Sequence, residues 1–505
     1  MISHTFKLII LLFACLLSSC GGSRDQLAQS SDIVIRKINV GPTPFIKFVE
    51  LHGQSVSNVS SFRFIINPKI AATSLPVDVT FSTDRLKKDG YFSDSNNSIT
   101  LPVFGLYASF DNLVNLQLSF KDGSIQFIET TISTSAYVDP YKIYDRPNIL
   151  KRRTAGDEFG FNFFFIKSFF AGPVVVDTDG EVRWVSPSAA AANTFSMGLH
   201  DNEFIVGDPV STSYSRMHLD GRIEIVNFIH DGLTHLHHNI DAGKIGLFGE
   251  VGTFRSGIND IQNTLIEFNK AGIILREWSV TDILRRYMAS YGDDPSLFIR
   301  DGIDWFHMNA STYDASDDSI IISGREDFII KIDYKSGNLL WILGDPTKYW
   351  YSFPSLRAKA LTLPQGHLYP IGQHATSVTS KGLLMLFNNG GPSFNQPDGA
   401  PIGDSRAYSA VSVYNIDKSR LSASEVSRFD YGKNILSDIC SSVYEGDADS
   451  VLISYAAADG RTRARLVGVN KLQQVVFDFE YKQAVNSCGT SWNAMPIRLE
   501  SLRLI

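Results

Sequence analysis

After residue 140 a single short unit recurs, and it restricts the possible folds more than any other feature of the chain. An apolar strand runs into a turn bearing Asp, Asn or Gly, and a second apolar strand follows, often ending in Trp. The copies run from Asp177 to Trp184, His218 to Ile225, Asn269 to Trp278 and Asp333 to Trp341, with weaker ones starting at Asn415 and Asn470. Six copies spaced by roughly 40 to 80 residues fit a six-bladed β-propeller, in which each four-stranded sheet buries its faces against its neighbours. The stretch Ile497 to Leu504 is expected to complete the first blade and cover its exposed edge.

Residues 141–505 are therefore assigned to the propeller, and residues 32–140 to a separate N-terminal β-sandwich. There, short runs such as Ser61 to Ile66 and Leu113 to Phe120 alternate apolar and polar residues between Asn, Asp and Gly turns. Pro140 and Pro147 flank the linker. The fold class is all-β, with one exception: Val280 to Met288 has helical spacing, Thr281 as a candidate N-cap, and an expected place over one mouth of the propeller.

The first residues carry Lys7, the apolar run Leu8 to Leu17, and Ser18-Ser19-Cys20-Gly21-Gly22. Such a run is a secretory signal, too short to span a bilayer. Its end resembles a bacterial lipobox, which makes residues 1–19 the signal, Cys20 the acylated N-terminus and residues 20–31 a tether. The expected location is periplasmic, with the membrane engaged by the lipid anchor only. Cys440 and Cys488 remain, and in an oxidising compartment they read as a structural disulfide. With 46 basic against 53 acidic residues and a net charge of -7, no nucleic-acid partner is expected.

Three histidines fall just before the innermost-strand pattern of successive repeats: His237 in Leu-His-His-Asn, His307 in Phe-His-Met-Asn and His374 in Gln-His-Ala-Thr. An ungapped alignment of the sixth repeat on the fourth puts Asp438 at the same place. Innermost strands of a propeller line its channel, so these side chains are expected to converge. Arg325 begins the strand after that of His307 and can aim its planar, permanently charged fork at the same mouth, which points to an anionic substrate. A metal is the competing reading, through His235 and His237 with Asp231 or Asp241 nearby. No known metal signature is matched and HExxH is absent, so no metal is assigned. His237 and His238, being adjacent, are expected to face opposite ways.

Asp304-Trp305-Phe306-His307-Met308-Asn309-Ala310, Ser323-Gly324-Arg325, Leu340 to Gly344, Gly372-Gln373-His374-Ala375 and Leu383 to Gly390 form an ordered set. In that order they resemble the bacterial PAPS-independent arylsulfotransferases, which move a sulfuryl group from a phenolic ester to another phenol. The resemblance covers nearly the whole mature chain. It implies that His374 carries the sulfuryl group transiently, that His307, Asn309 and Arg325 hold its oxygens, and that a supporting histidine lies in the Leu-His-His-Asn stretch. His237 is preferred for that role because His-His-Asn then matches His-Met-Asn, with His238 as a substrate contact. It also implies ping-pong transfer with no cofactor. Some members carry a close cysteine pair between the His307 and His374 motifs, and Thr347 to Leu368 has none.

The expected partners are a small aryl sulfate donor and a phenolic acceptor, with a homodimer left open. A second histidine, His307 or His237, would serve as general acid and base. Trp305, Phe306, Tyr349, Trp350, Tyr351 and Phe353 are candidates for stacking on aryl groups, or for packing a long loop. The alternative to an enzyme is a lipoprotein of propeller fold acting as a binding or assembly scaffold.

Overall fold

In the strand Val59–Ile66, burial alternates along the chain: Phe62, Phe64 and Ile66 are buried while Arg63 and Ile65 are only half-buried. This is the period of a sheet with one covered face. The computed structural model describes residues 32–505 except 94–95, 189–190, 230–231, 256 and 486. The expected signal, Cys20 and the tether lie outside the described residues. The chain is almost all β.

On the N-terminal side there are two sheets. One orders Val34–Val40, Ile46–His52, Ser98–Phe104 and Phe92–Ser93; the other orders Leu502–Leu504, Val77–Ser82, Val59–Ile66, Asp111–Phe120 and Ile125–Ser133. Val49, Leu51, Leu101 and Val103 of the first share one core with Phe62, Phe64, Leu116 and Leu118 of the second. The chain end differs from the expectation. Asn493–Ile497 pairs with Phe163–Ser168, but Leu502–Leu504 adds in parallel to Val77–Ser82. Leu499 and Leu502 bury in the N-terminal core, which draws the last residues away from the strand before them.

From residue 148 onward the strands form five sheets, one of them of eight strands in which two four-stranded antiparallel groups meet through a parallel pairing of Met197 with Asn239, and so six antiparallel groups in all. The first joins Phe163–Ser168, Gly172–Asp177 and Val182–Val185 to the chain-end strand Asn493–Ile497. The next four extend outward in chain order, and the sixth gains Asn148–Lys151 on its outer edge. The turns of the strong repeats place Gly180, Gly221, Gly272 and Gly337 at φ 93°, 91°, 79° and 69°. Only glycine adopts that region without strain. The weaker copies put Leu421 and Gln473 there instead, at φ 48° and 59°, which blurs their sequence signal. The repeat tryptophans stitch neighbours together: Trp184 Nε1 donates to Leu219 O (2.9 Å) and Trp278 Nε1 to Tyr334 O (3.2 Å) in the turn of another group.

The strands nearest the centre are β1 (Met197–His200), β2 (Leu233–Ala242), β3 (Met308–Asp314), β4 (His374–Val378), β5 (Ser442–Glu445) and β6 (Asn493–Ile497). Each lies against the next. Asn493 of β6 returns to β2 by donating from Nδ2 to Asn239 Oδ1 at 3.1 Å. The six therefore enclose a common centre.

The expected helix is present as α1 (Val280–Ser290), capped by Ser279, whose Oγ accepts from Asp282 N at 3.0 Å. Thr281 is buried in the first turn and donates to Asp260 Oδ1 (2.8 Å). Ile283, Leu284 and Met288 pack into the core of the third and fourth groups. None of its residues lines the central cavity.

Candidate active site

The inner strands begin around a cavity of about 380 Å³, within the range that small-molecule sites occupy. Its position follows from breaks in strand regularity. The register shifts between His237 and Ile240, between Met308 and Ala310, and between His374 and Ser377. At these breaks His238, His307 and Ala375 take φ of 56°, 55° and 50°. Bulges of this kind re-aim side chains. In a regular strand His237 and His238 would face opposite ways; the bulge instead turns them together, with Nδ1 to Nδ1 at 3.0 Å.

His374 is buried and its ring is held in one tautomer. Nδ1 lies 2.9 Å from both Gly372 O and Asn389 Oδ1. Both are acceptors, so Nδ1 carries the proton and Nε2 keeps its lone pair. Asn389 is itself oriented, donating from Nδ2 to Ser437 O (2.7 Å) and Cys440 O (2.9 Å). Gly372 has φ +61°, which glycine adopts without strain, and a Cβ there would come within 3.1 Å of Gly391 O. Burial pushes the His374 pKa down to about 3, with Arg325 and then His307 adding to the effect.

His307 Nδ1 meets Asp304 Oδ2 at 2.5 Å, which leaves Nε2 as the free ring nitrogen. Arg325 is set beside it by a backbone bond from its N to His307 O (3.0 Å). Its guanidinium grips Glu326 Oε1 through Nε (2.8 Å) and Nη2. Glu326 is fully buried and also accepts from Phe394 N (2.7 Å) and Asn395 N (2.9 Å). The Phe394 ring covers the guanidinium at 4.5 Å. In Ser323-Gly324-Arg325 the glycine is required because a Cβ would stand 2.5 Å from the Phe306 ring.

His237, His238, His307, His374, Asn309 and Arg325 all line the cavity. The His238 ring stands 4.9 Å from that of His307 and 6.4 Å from that of His374, while His237 meets His238 at 5.2 Å. His238 is thus the member of the pair that reaches the other two. Burial, followed by the charge of neighbouring histidines, holds both His237 and His238 well below the usual histidine range. Asn309 uses one amide hydrogen on Gln373 O (2.8 Å), and its buried Oδ1 has no partner. Beneath the floor Lys167 Nζ donates to Asn239 Oδ1 (2.7 Å), near the half-buried carboxyl of Asp241 and the buried one of Glu250.

The opposite wall carries Phe195, Pro209, Ile439, Cys440 and Trp492. Cys440 and Cys488 are joined by a disulfide across 48 residues. Phe195 and Trp492 meet edge to face at 6.1 Å. These aromatics escape the sequence reading; only the place of Trp492, directly before an inner strand as His307 is, hints at its role. The aromatics named from sequence pack elsewhere: Trp305, Phe306, Trp350 and Phe353 are core residues and Tyr349 and Tyr351 lie against them. Asp438 does not line the cavity but pairs with Arg461 at 2.7 Å. Ser441, directly before β5 with φ 81°, holds the place corresponding to His307. Asp304, Asn389 and Glu326 lie in or beside the quoted motifs, but their partners are set by the fold.

Residues 150–492 match the family model described as Arylsulfotransferase (ASST). The chain is 23% identical to an arylsulfate sulfotransferase AssT of Lelliottia amnigena, covering 89% of each. It is also 23% identical to an arylsulfate sulfotransferase AssT of Escherichia coli O6:H1, covering 66% of this chain and 71% of the relative. Among solved structures it is similar to the WD40 domain of Neurospora crassa Pan2, with a TM-score of 0.25 and 10% identity over 59% of this chain and 91% of that one.

Proposed function

Because the chain belongs to the arylsulfotransferase family, we propose that it moves a sulfuryl group from an aryl sulfate to a phenol in two steps, through His374. The observation that carries this reading is the fixed tautomer of His374. Its Nδ1–H is committed to Gly372 O and Asn389 Oδ1, and its Nε2 lone pair is free beside Arg325 and His307. A neutral, oriented imidazole is the form that can attack sulfur.

In the first step Nε2 of His374 bonds to sulfur as the S–O bond to the aryl group breaks. The leaving phenolate takes a proton from Nε2 of His307, whose Nδ1 is anchored on Asp304. In the second step the acceptor phenol gives its proton to His307, its oxygen bonds to sulfur, and the S–N bond breaks. Protons and charges then balance over the cycle, with no nucleotide needed. Arg325, Asn309 and His238 face the sulfuryl oxygens, where prearranged donors are worth about 10² to 10³ each in rate. His237 backs His238. The apolar wall of Phe195, Ile439 and Trp492 takes the aryl ring of donor and acceptor in turn.

The six strand groups are read as six blades of a propeller over residues 141–505 and the two N-terminal sheets as a sandwich, with Leu502–Leu504 returning to it. The turns at Asp179 and Gly180 face the sandwich, through Thr73 and Ser74 on Asp179. These turns lie at the far end of the first group from Asn493 and the cavity. We also propose export, acylation at Cys20 and a periplasmic location, as the first residues suggest.

The test is intact-mass measurement after brief exposure to an aryl sulfate without acceptor. Wild type should gain one sulfuryl group and His374→Asn none; an adduct on the variant, or none on either, overturns the reading.

A further inference from the structure

Among the described residues the fold gathers a different set from the His235 and His237 pair considered from sequence. His237, His238 and Glu250 each bring a ligating atom within 4.8 Å of the others. We propose that these three residues form a binding site for a divalent transition-metal ion, of which Zn²⁺ is the best chemical match.

The donor set is two imidazoles and one carboxylate, which suits zinc in a three-ligand site with an open fourth position. The two Nδ1 atoms stand 3.0 Å apart, joined by a hydrogen bond whose proton the metal would replace. Donors on a tetrahedral zinc with bonds of 2.0–2.1 Å sit about 3.4 Å apart, so the rings need only a small opening. Glu250 is level with His237 across the antiparallel pair of β2 and its neighbour Leu247–Arg255. Its carboxylate is already oriented, accepting from Asn239 N (2.9 Å) and Ser311 Oγ (3.4 Å), the kind of second contact that steadies a metal ligand.

Charge points the same way. Glu250 is fully buried with the half-buried Asp241 near it, and Lys167 is the cation beside both. A dication would satisfy the second carboxylate. A metal on Nδ1 of His238 leaves its proton on Nε2. Both rings line the cavity, so the open position faces it.

His238 also faces the sulfuryl site of the proposed transfer, so the test reads metal rather than turnover. Chelator-treated full-length protein is titrated with Co²⁺, and crystals soaked in Zn²⁺ are measured at the zinc absorption edge. One equivalent of Co²⁺ should give the intense visible bands of a tetrahedral site and be displaced by Zn²⁺. An anomalous peak should lie between His237, His238 and Glu250. Glu250→Gln, which preserves shape and hydrogen bonding, and His237→Gln should each weaken Co²⁺ binding by about tenfold or more, whereas His307→Gln should keep it. Absence of bands in wild type, an anomalous peak at other residues only, or unchanged binding in both folded variants overturns the proposal.

Discussion

The two walls of the central cavity are built on the same kind of strand end and end up chemically opposite. The third, fourth and fifth strand groups contribute His237, His238, His307, Asn309, Arg325 and His374. The remaining three contribute Phe195, Pro209, Ile439, Cys440 and Trp492, with the uncharged Asn193, Thr194, Ser441 and Asn493 between them. Backbone geometry does not separate them, since Cys440 and Ser441 take positive φ (54° and 81°) just as His238 and His307 do. What differs is the side chain placed at each strand end, and the register shifts that only the histidine-bearing strands carry. A repeated scaffold can therefore set a charged half and an apolar half around one axis, which is what a substrate with an anionic end and an aryl end requires.

Changes to the polar wall should strike rate hardest. His374→Asn is expected to remove the sulfuryl adduct and lower transfer by at least about 10⁴-fold, as removal of a nucleophile does; a stopped-flow assay with a chromogenic aryl sulfate reads it. Arg325→Lys replaces a planar fork held by Glu326 with a point charge, and should lower kcat/KM by about 10² to 10³. Glu326→Gln should reproduce part of that loss through a misplaced guanidinium.

Asp304→Asn should cost less, about 10²-fold, and unevenly. Its effect should grow as the leaving phenol becomes more basic, because that step depends most on a proton from His307. A uniform loss across leaving groups would show that Asp304 only supports structure. On the apolar wall, Trp492→Ala should raise KM for aryl donors by about tenfold, the worth of an aromatic contact, with kcat changing less. Equal loss of kcat and unchanged KM would show that the walls do not divide the labour as described.

The smallest effect concerns pH. The unfolded His374 takes up a proton below about pH 6.5, while in the folded protein its pKa is depressed to about 3. Between these values the unfolded state binds more protons, so this contribution to stability falls as pH falls from about 6.5 toward 3 and is complete above 6.5. Urea midpoints at pH 7 and pH 5 should differ less in His374→Asn than in wild type.

Much of this arrangement is legible in the sequence, because glycine turns and terminal tryptophans recur for local reasons. Gly180 and its counterparts must take positive φ, and Trp184 and Trp278 must reach a neighbouring turn. The motifs around His307, Arg325 and His374 are legible for the same reason: Gly324 leaves room for the Phe306 ring and Gly372 takes a positive φ. Asp438 was misplaced because an ungapped alignment cannot see the left-handed pair Cys440 and Ser441. The loop aromatics around Trp350 were ambiguous because packing and ligand stacking call for the same residues.

Residue order alone determined the repeat, the strand periodicity and the identity of the imidazoles and guanidinium, since each depends on a residue's own conformational limits or charge. Only the tertiary structure decided which nitrogen of His374 is free, that His237 and His238 turn toward each other, and that Phe195 and Trp492 face them across the cavity. Those outcomes rest on bulges and on partners tens to hundreds of residues away in sequence, such as Asn239 with Asn493, whose placement no local preference encodes.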